Sequence, residues 1–216
     1  PSPKYPLAMR SRFSKRHPAM KFNFIRKTIF SYFALIRLPN LFTIPGDPIA
    51  GYLLCGGDFS EKKGIIFAVI SSLSYYIFGL ISNDIKDLEE DRILNPNRPI
   101  PSGKVSAFSA KIASIAALIC GLSAGLAAGS ACFTTGLILL SAIFFYNFVF
   151  KDNAILGPAL LALCRTMNVL LGVSLRYENF SASTPALFAF ISIYFAFVMG
   201  LSLAASREKN SDLKIF

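Results

Sequence analysis

Long apolar runs, separated by short polar breaks, dominate this chain. Six of them, at about 40–56, 64–82, 106–129, 131–150, 154–175 and 185–205, approach the ~20 residues that a bilayer core demands. Helices of soluble globular proteins average nearer ~11 or 12 residues. The pattern therefore predicts an all-α, multi-span transmembrane helix bundle with six helices in this chain. The first run is the weakest, because Pro45, Asp47 and Pro48 interrupt it. A broken helix is tolerated in a membrane only where protein or a cavity satisfies the freed backbone groups.

Composition agrees with the pattern. The 216 residues are 54% hydrophobic and 16% charged, with a mean hydropathy of +0.54, far from the usual soluble balance. Charge then orients the bundle. Before Thr28 stand Lys4, Arg10, Arg12, Lys15, Arg16, Lys21, Arg26 and Lys27 without one acid, which by the positive-inside rule keeps this end cytoplasmic. Counting spans alternately places Lys86, Arg92, Arg98 and Lys104, then Lys151, then Arg207, Lys209 and Lys214 on the same side. Residues 1–28 are thus expected to be a basic leader or targeting segment, and 29–216 a transmembrane domain. The net charge of +10 reads as topology and attraction to anionic membrane lipids, with no call for nucleic acid. A multi-pass protein of a bacterial inner membrane is expected, an organelle membrane being the alternative. Cys55, Cys120, Cys132 and Cys164 show no paired spacing, and His17 lies in the leader; neither suggests chemistry.

One polar cluster breaks the apolar rule. Asn83-Asp84-Ile85-Lys86-Asp87-Leu88-Glu89-Glu90-Asp91 closes the second run. On a helix, Asn83 and Asp87 are four apart, Asp84 and Asp87 three, and Asp87 and Asp91 four, so one face carries an amide and three carboxylates. Such a face repels itself without a cation. Mg²⁺ usually takes one or two carboxylates and fills its other positions with water and substrate phosphate oxygens, so a Mg²⁺-diphosphate site is one reading. The other is a solvated helix end neutralised by Lys86 and Arg92. After Arg92, Pro96, Pro99 and Pro101 forbid a helix, and Ser102 and Gly103 turn the chain towards the next span. Arg98 is placed either to fold back on the acidic face and grip phosphate bidentately, or to act as an ordinary positive-inside charge.

The combination Asn-Asp-x-x-Asp-x-x-x-Asp followed by Arg98-Pro-x-Pro-Ser-Gly103, at the cytoplasmic end of the second span, resembles the UbiA-type family of intramembrane prenyltransferases. Two further segments are similar to that family's: Tyr146 to Lys151 followed by Gly157 and Pro158, and Arg37-Leu38-Pro39-Asn40. The resemblance implies that Asp84, Asp87 and Asp91 bind Mg²⁺ and the diphosphate of a polyprenyl diphosphate donor, and that Lys151 faces the diphosphate. It implies further that Tyr146, which falls at the motif, is the aromatic to face an allylic cation and that Asn83, Arg98 and Asn40 line the donor site, while a lipophilic acceptor, often aromatic, is alkylated. Arg165 and Asn168 are three apart within the fifth run, where polar groups face a cavity or a partner helix. Either they line the pocket or they are interhelical glue worth about 0.6 kcal/mol; Asp47 invites the same choice.

The family's second aspartate motif has only Glu208 and Asp212, four apart, as a counterpart, with Arg207 and Lys209 as alternative phosphate ligands. Family members typically have nine spans, so this chain is expected to lack three helices of a nine-helix fold. Its Cys164 to Asn168 stretch and Ser206-Arg207-Glu208 ending resemble the UbiA-like EboC subgroup. Tyr75, Tyr76, Phe144 and Phe145 are further aromatics that could face an allylic cation, or merely pack. A transporter or carrier, suggested by the broken first run with Asp47 and Arg165, and a catalytically silent scaffold are the competing readings.

Overall fold

The computed structural model describes residues 28–58, 60 and 62–212, and the side chains of all of these except 178–184 and 207–212. All of the basic leader but Thr28 therefore lies outside the described residues. The chain begins with helix α1 (28–35), followed by α2 (Leu38–Leu41), α3 (Gly46–Leu54), α4 (Lys62–Lys86), α5 (Leu88–Leu94), α6 (Ala107–Ala128), α7 (Ser130–Phe145), α8 (Leu156–Val173) and α9 (Phe180–Asp212). No strand occurs among the described residues. Five stretches, Lys62–Lys86, Ala107–Ala128, Ser130–Phe150, Leu156–Tyr177 and Pro185–Ser206, are long and apolar enough to cross a membrane. They coincide with the last five runs of the hydrophobic pattern.

The first run is broken as expected, but only one of the three residues expected to interrupt it lies at the break. The run is shared between α2 and α3, and the turn at 42–45 that parts them includes Pro45. Asp47 and Pro48 do not interrupt a helix; both lie in the first turn of α3, where proline removes no helical hydrogen bond because the first amides have no partner in any case. Arg37 takes the left-handed conformation, φ 47°, uncommon for a side chain with a Cβ, and so turns the chain between α1 and α2.

Small residues set the packing. Without a hydrophobic drive between helices in lipid, close backbone approach and interhelical hydrogen bonds hold a bundle together. α3 lies directly on α8: a Cβ added at Gly172 would sit 1.8 Å from the Pro48 carbonyl oxygen, and one at Gly51 would sit 2.0 Å from that of Val169. Gly172→Ala must therefore part the two helices. The expected outcome is a lower Tm in detergent, by overpacking of about 1–3 kcal/mol or more, measured by thermal unfolding of the purified protein. α4 packs along α6, with the Ser71 hydroxyl donating to the Gly121 carbonyl at 2.9 Å and Ser82 and Ser114 hydroxyls meeting at 2.9 Å. Tyr75, wholly buried, fills the slot left by Gly121 and Gly136.

α8 occupies the middle, between α3, α7 and α9. By contrast α9 is nearly bare: Phe188, Ile193, Phe197 and Leu201 are all exposed, as residues in contact with lipid tails would be. At one end of the bundle the α4–α5 junction, the 95–106 loop and the α7–α8 connection come together. There the loop is anchored by Ile100 and Val105, which bury against Leu35, Ile81 and Ala110. Ser106 caps α6 by accepting from the Ser109 amide at 3.1 Å, and Gly103, at φ 72°, makes the turn.

Candidate functional site

The helical register across the acidic cluster is preserved although α4 ends at Lys86. Asp87 N–H donates to the Asn83 carbonyl at 3.0 Å and Asp91 N–H to that of Asp87 at 2.8 Å. Asn83 and Asp87 consequently share a face, and the Asn83 amide donates to Asp87 Oδ2 at 3.0 Å. Asp84 and Asp91 are 5% and 3% exposed, and a buried carboxylate requires a partner.

The partners come from elsewhere in the chain. Arg37 donates to Asp84 Oδ1 at 3.3 Å. Arg98 donates to Asp91 Oδ2 at 2.5 Å and stands 3.9 Å from Asp84, so it bridges the two carboxylates. Lys151 pairs with Asp87. The cluster is thus neither self-repelling nor neutralised by its neighbours in sequence: Arg92 pairs with Glu89 at 2.8 Å on the exposed side, and Lys86 donates to the Asn147 carbonyl at 2.7 Å. Asn95 completes the turn, its amide donating to Asp91 Oδ1 at 2.9 Å.

Lys151 arrives by a local irregularity. From Tyr146 to Phe150 the end of α7 widens into one turn of π-helix, a feature that re-aims side chains and recurs at functional sites. Asn147 pins that turn to α4 by donating to the Gly79 carbonyl at 2.8 Å. The same turn puts Tyr146 on a cavity of about 260 Å³ whose lining also includes Arg37, Asn40, Tyr76, Asn83 and Arg165. Tyr75 and Asn168 line it too. Phe144 and Phe145 do not: at 54% and 47% exposure they point outward, because α7 turns its other face to α8.

Arg165 and Asn168 prove to be both pocket and glue. Asn168 Oδ1 accepts from Ser72 Oγ at 2.7 Å, tying α8 to α4. Arg165 donates to Asp47 Oδ1 at 3.2 Å and to the Tyr194 hydroxyl at 2.9 Å, while Tyr194 itself donates to Asp47 Oδ1 at 2.7 Å. Three helices, α3, α8 and α9, meet in this triad. Glu208 and Asp212 belong to the last turns of α9, but their side chains lie outside those described.

For Mg²⁺, the residues present fit by donor chemistry. Asn83 Oδ1 is buried without a hydrogen-bond partner, next to the carboxylates of Asp84 and Asp87; all are hard oxygen donors. Among the described residues no three acidic, histidine or cysteine side chains converge on one point, since each aspartate is held by its own cation. The fit is to a metal that takes one or two protein oxygens and leaves the rest to phosphate and water.

The sequence pattern alone missed Arg37 as a partner of Asp84, Tyr194 as a partner of Asp47, and Asn147 as the pin of the π turn. Arg37 and Asn147 left a trace, each as a residue inside a motif-like segment.

A multi-pass membrane bundle with a largely apolar cavity capped by paired carboxylates and cations is the class that this geometry defines. Residues 48–215 match the UbiA prenyltransferase family, and the chain belongs to it. It is 30% identical over 142 residues to a digeranylgeranylglyceryl phosphate synthase of Saccharolobus solfataricus, covering 66% of this chain and 50% of that protein. To the protein of the same name from Methanococcus aeolicus it is 35% identical over 135 residues, 61% of this chain and 47% of that one. The chain therefore spans about half the length of these curated relatives. A solved structure described as digeranylgeranylglyceryl phosphate synthase in membranes superposes with a TM-score of 0.71 at 23% identity, covering 87% of this chain and 65% of that chain, which shows a shared fold. None of these three bears on the EboC-like subgrouping.

Proposed function

We propose that the protein to which this chain belongs transfers a polyprenyl group from an allylic diphosphate to a lipophilic acceptor within the membrane, dependent on Mg²⁺. One observation carries the reading: Asp84, Asp87 and Asp91 are each held by a cation from outside the acidic cluster, at one end of a cavity lined by Tyr75, Tyr76 and Tyr146. Carboxylates paired in this way can release their cations to an incoming anion. Arg37, Arg98 and Lys151 then have a diphosphate to hold, and Asn83, Asp84 and Asp87 have oxygens free for Mg²⁺. When bound, the metal supplies charge neutralisation for the leaving diphosphate.

The reaction balances simply. The bond from prenyl C1 to the diphosphate oxygen breaks, C1 bonds to the acceptor, diphosphate leaves with the electron pair, and the acceptor loses a proton. Donors that are already oriented stabilise charge as it develops on the leaving group without reorganising. The faces of Tyr76 and Tyr146 stabilise the allylic cation, and the apolar walls of Leu139, Ile143 and Leu161 keep water from it. The name of the relatives describes a product with two geranylgeranyl groups on glyceryl phosphate, which speaks for a geranylgeranyl donor and a glyceryl phosphate lipid acceptor over the aromatic acceptor expected from the sequence. A carrier has less support, because Arg165 and Asp47 are bound to each other and to Tyr194.

The test is release of diphosphate from labelled geranylgeranyl diphosphate by the full-length protein in vesicles. Release should require added Mg²⁺ and stop on chelation. Release that persists in chelator removes the metal from the reading, and donor binding without release favours a silent family member.

A further inference from the structure

A second cavity, of about 460 Å³, opens at the end of the bundle opposite the acidic cluster, among Tyr52, Ser60, Lys62, Lys63, Leu175 and Arg176. Lys62 and Asp84 are 22 residues apart on one helix, about 33 Å at 1.5 Å per residue, close to the ~30 Å of a bilayer core. The two cavities thus belong to opposite membrane faces.

This second cavity is built for an anion. Lys62 and Lys63 open α4, whose first amides lack helical partners and carry the positive end of the helix dipole. From across the cavity, the Arg176 guanidinium lies over the Tyr52 ring, 5.5 Å from its centroid. Tyr52 is a fixed platform, buried and donating its hydroxyl to the Asp58 carbonyl at 2.8 Å. Arg176 Nε is buried and makes no hydrogen bond, a donor left waiting. The Asp58 carboxyl is held below its usual range, first by the hydrogen bonds it accepts from the Ser60 hydroxyl and from the Ser60 amide at 2.9 Å and then by the charge of Arg176. Among the described residues no carboxylate forms an ion pair with Lys62, Lys63 or Arg176. Glu61 and Glu178 are near in sequence, and their side chains are not among those described.

Cations on this face run against the positive-inside bias, so three of them converging on one cavity call for a function. The remaining walls, Ile65, Ala128 and Leu175, are apolar, and Ile66 and Leu126 beside them in sequence are exposed. A site with a basic rim and an apolar flank at the depth of the headgroups suits a phosphate carried on acyl chains. We propose that this cavity binds the phosphate of an anionic phospholipid in the leaflet opposite the acidic site. The lipid would brace the start of α4 against the α8–α9 connection, away from the cavity beside Asp84. This site stands or falls independently of the prenyl-transfer reading.

The experiment uses the full-length protein, delipidated in a non-ionic detergent and titrated with phosphatidylglycerol, phosphatidylcholine or inorganic phosphate. Tm is followed, and bound lipid is counted by native mass spectrometry. Phosphatidylglycerol should bind saturably and raise Tm, with phosphatidylcholine much weaker. The double variant K62A/K63A should weaken phosphatidylglycerol binding about twenty-five-fold, roughly five-fold for each lysine facing anionic lipid. Arg176→Gln should weaken it as well. K104A/K111A, with the same charge change at the acidic end, should leave binding unaltered. Equal losses in both double variants would reduce the effect to general surface charge and overturn the site. Equal binding of phosphatidylcholine would overturn it too. Inorganic phosphate that reproduces the whole shift and blocks phosphatidylglycerol would overturn the lipid in favour of a free anion.

Discussion

Asp84→Ala in the full-length protein should reduce Mg²⁺-dependent release of diphosphate from geranylgeranyl diphosphate by about two to three orders of magnitude, the scale on which a single charge-stabilising group counts in an enclosed site. The expectation rests on position. Asp84 is the carboxylate that both Arg37, at 3.3 Å, and Arg98, at 3.9 Å, face, so its removal takes away an oxygen donor and also leaves two guanidiniums without the group between them. Asp84→Asn should keep more of the fold and still lose most of the rate, since an amide neither balances the arginines nor binds a divalent cation as a carboxylate does. Rates for both variants would be read beside size-exclusion profiles and Tm. A well-folded Asp84→Asn protein with undiminished release would remove the acidic face from the chemistry.

The second large effect is on stability. Asp47→Ala should lower the unfolding free energy by an amount approaching the roughly 3–5 kcal/mol lost when one partner of a buried ion pair is removed. It should fall short of that range, because the Arg165 side chain keeps 21% of its surface open to the cavity. Tyr194 would lose an acceptor at the same time. The double variant Asp47→Leu/Arg165→Met should recover most of the loss, because an apolar pair of similar volume avoids desolvating two charges. A thermal double-mutant cycle checks both statements. If the double variant is as unstable as Asp47→Ala, the triad is not held together by the ion pair.

How legible these sites were depends on how far apart their members lie along the chain. Asn83 and Asp87 are joined by one helical turn, and their contact follows from spacing alone. Lys151 was singled out because a motif carried it, yet what brings it to Asp87 is a π turn pinned by Asn147, which no apolar periodicity signals. Arg98 folds back as its proline-rich loop suggested, but that loop is held by the burial of Ile100 and Val105. Asp47 misled in one respect and informed in another. Of the residues that looked like breaks in its span, Pro45 does lie in the 42–45 turn, whereas Asp47 and Pro48 sit in the first turn of α3; the charge of Asp47 asked for a partner, and the fold supplied Arg165 and Tyr194.

By itself the sequence determined that this is a multi-pass helical membrane protein, where five of its spans lie, and that an amide and carboxylates share one helical face near a membrane edge. Those properties are local: hydropathy sums over about 20 neighbouring residues, and a helical face is set by 3.6 residues per turn. Only the tertiary structure decided which cation meets which carboxylate, why α3 can lie against α8, and that a second basic cavity exists at the far end. Charges bury only with partners, and the partners here, Arg37 with Asp84, Lys151 with Asp87 and Tyr194 with Asp47, are 47, 64 and 147 residues apart. Helix packing through glycines and hydroxyls, not the order of residues, brought them together.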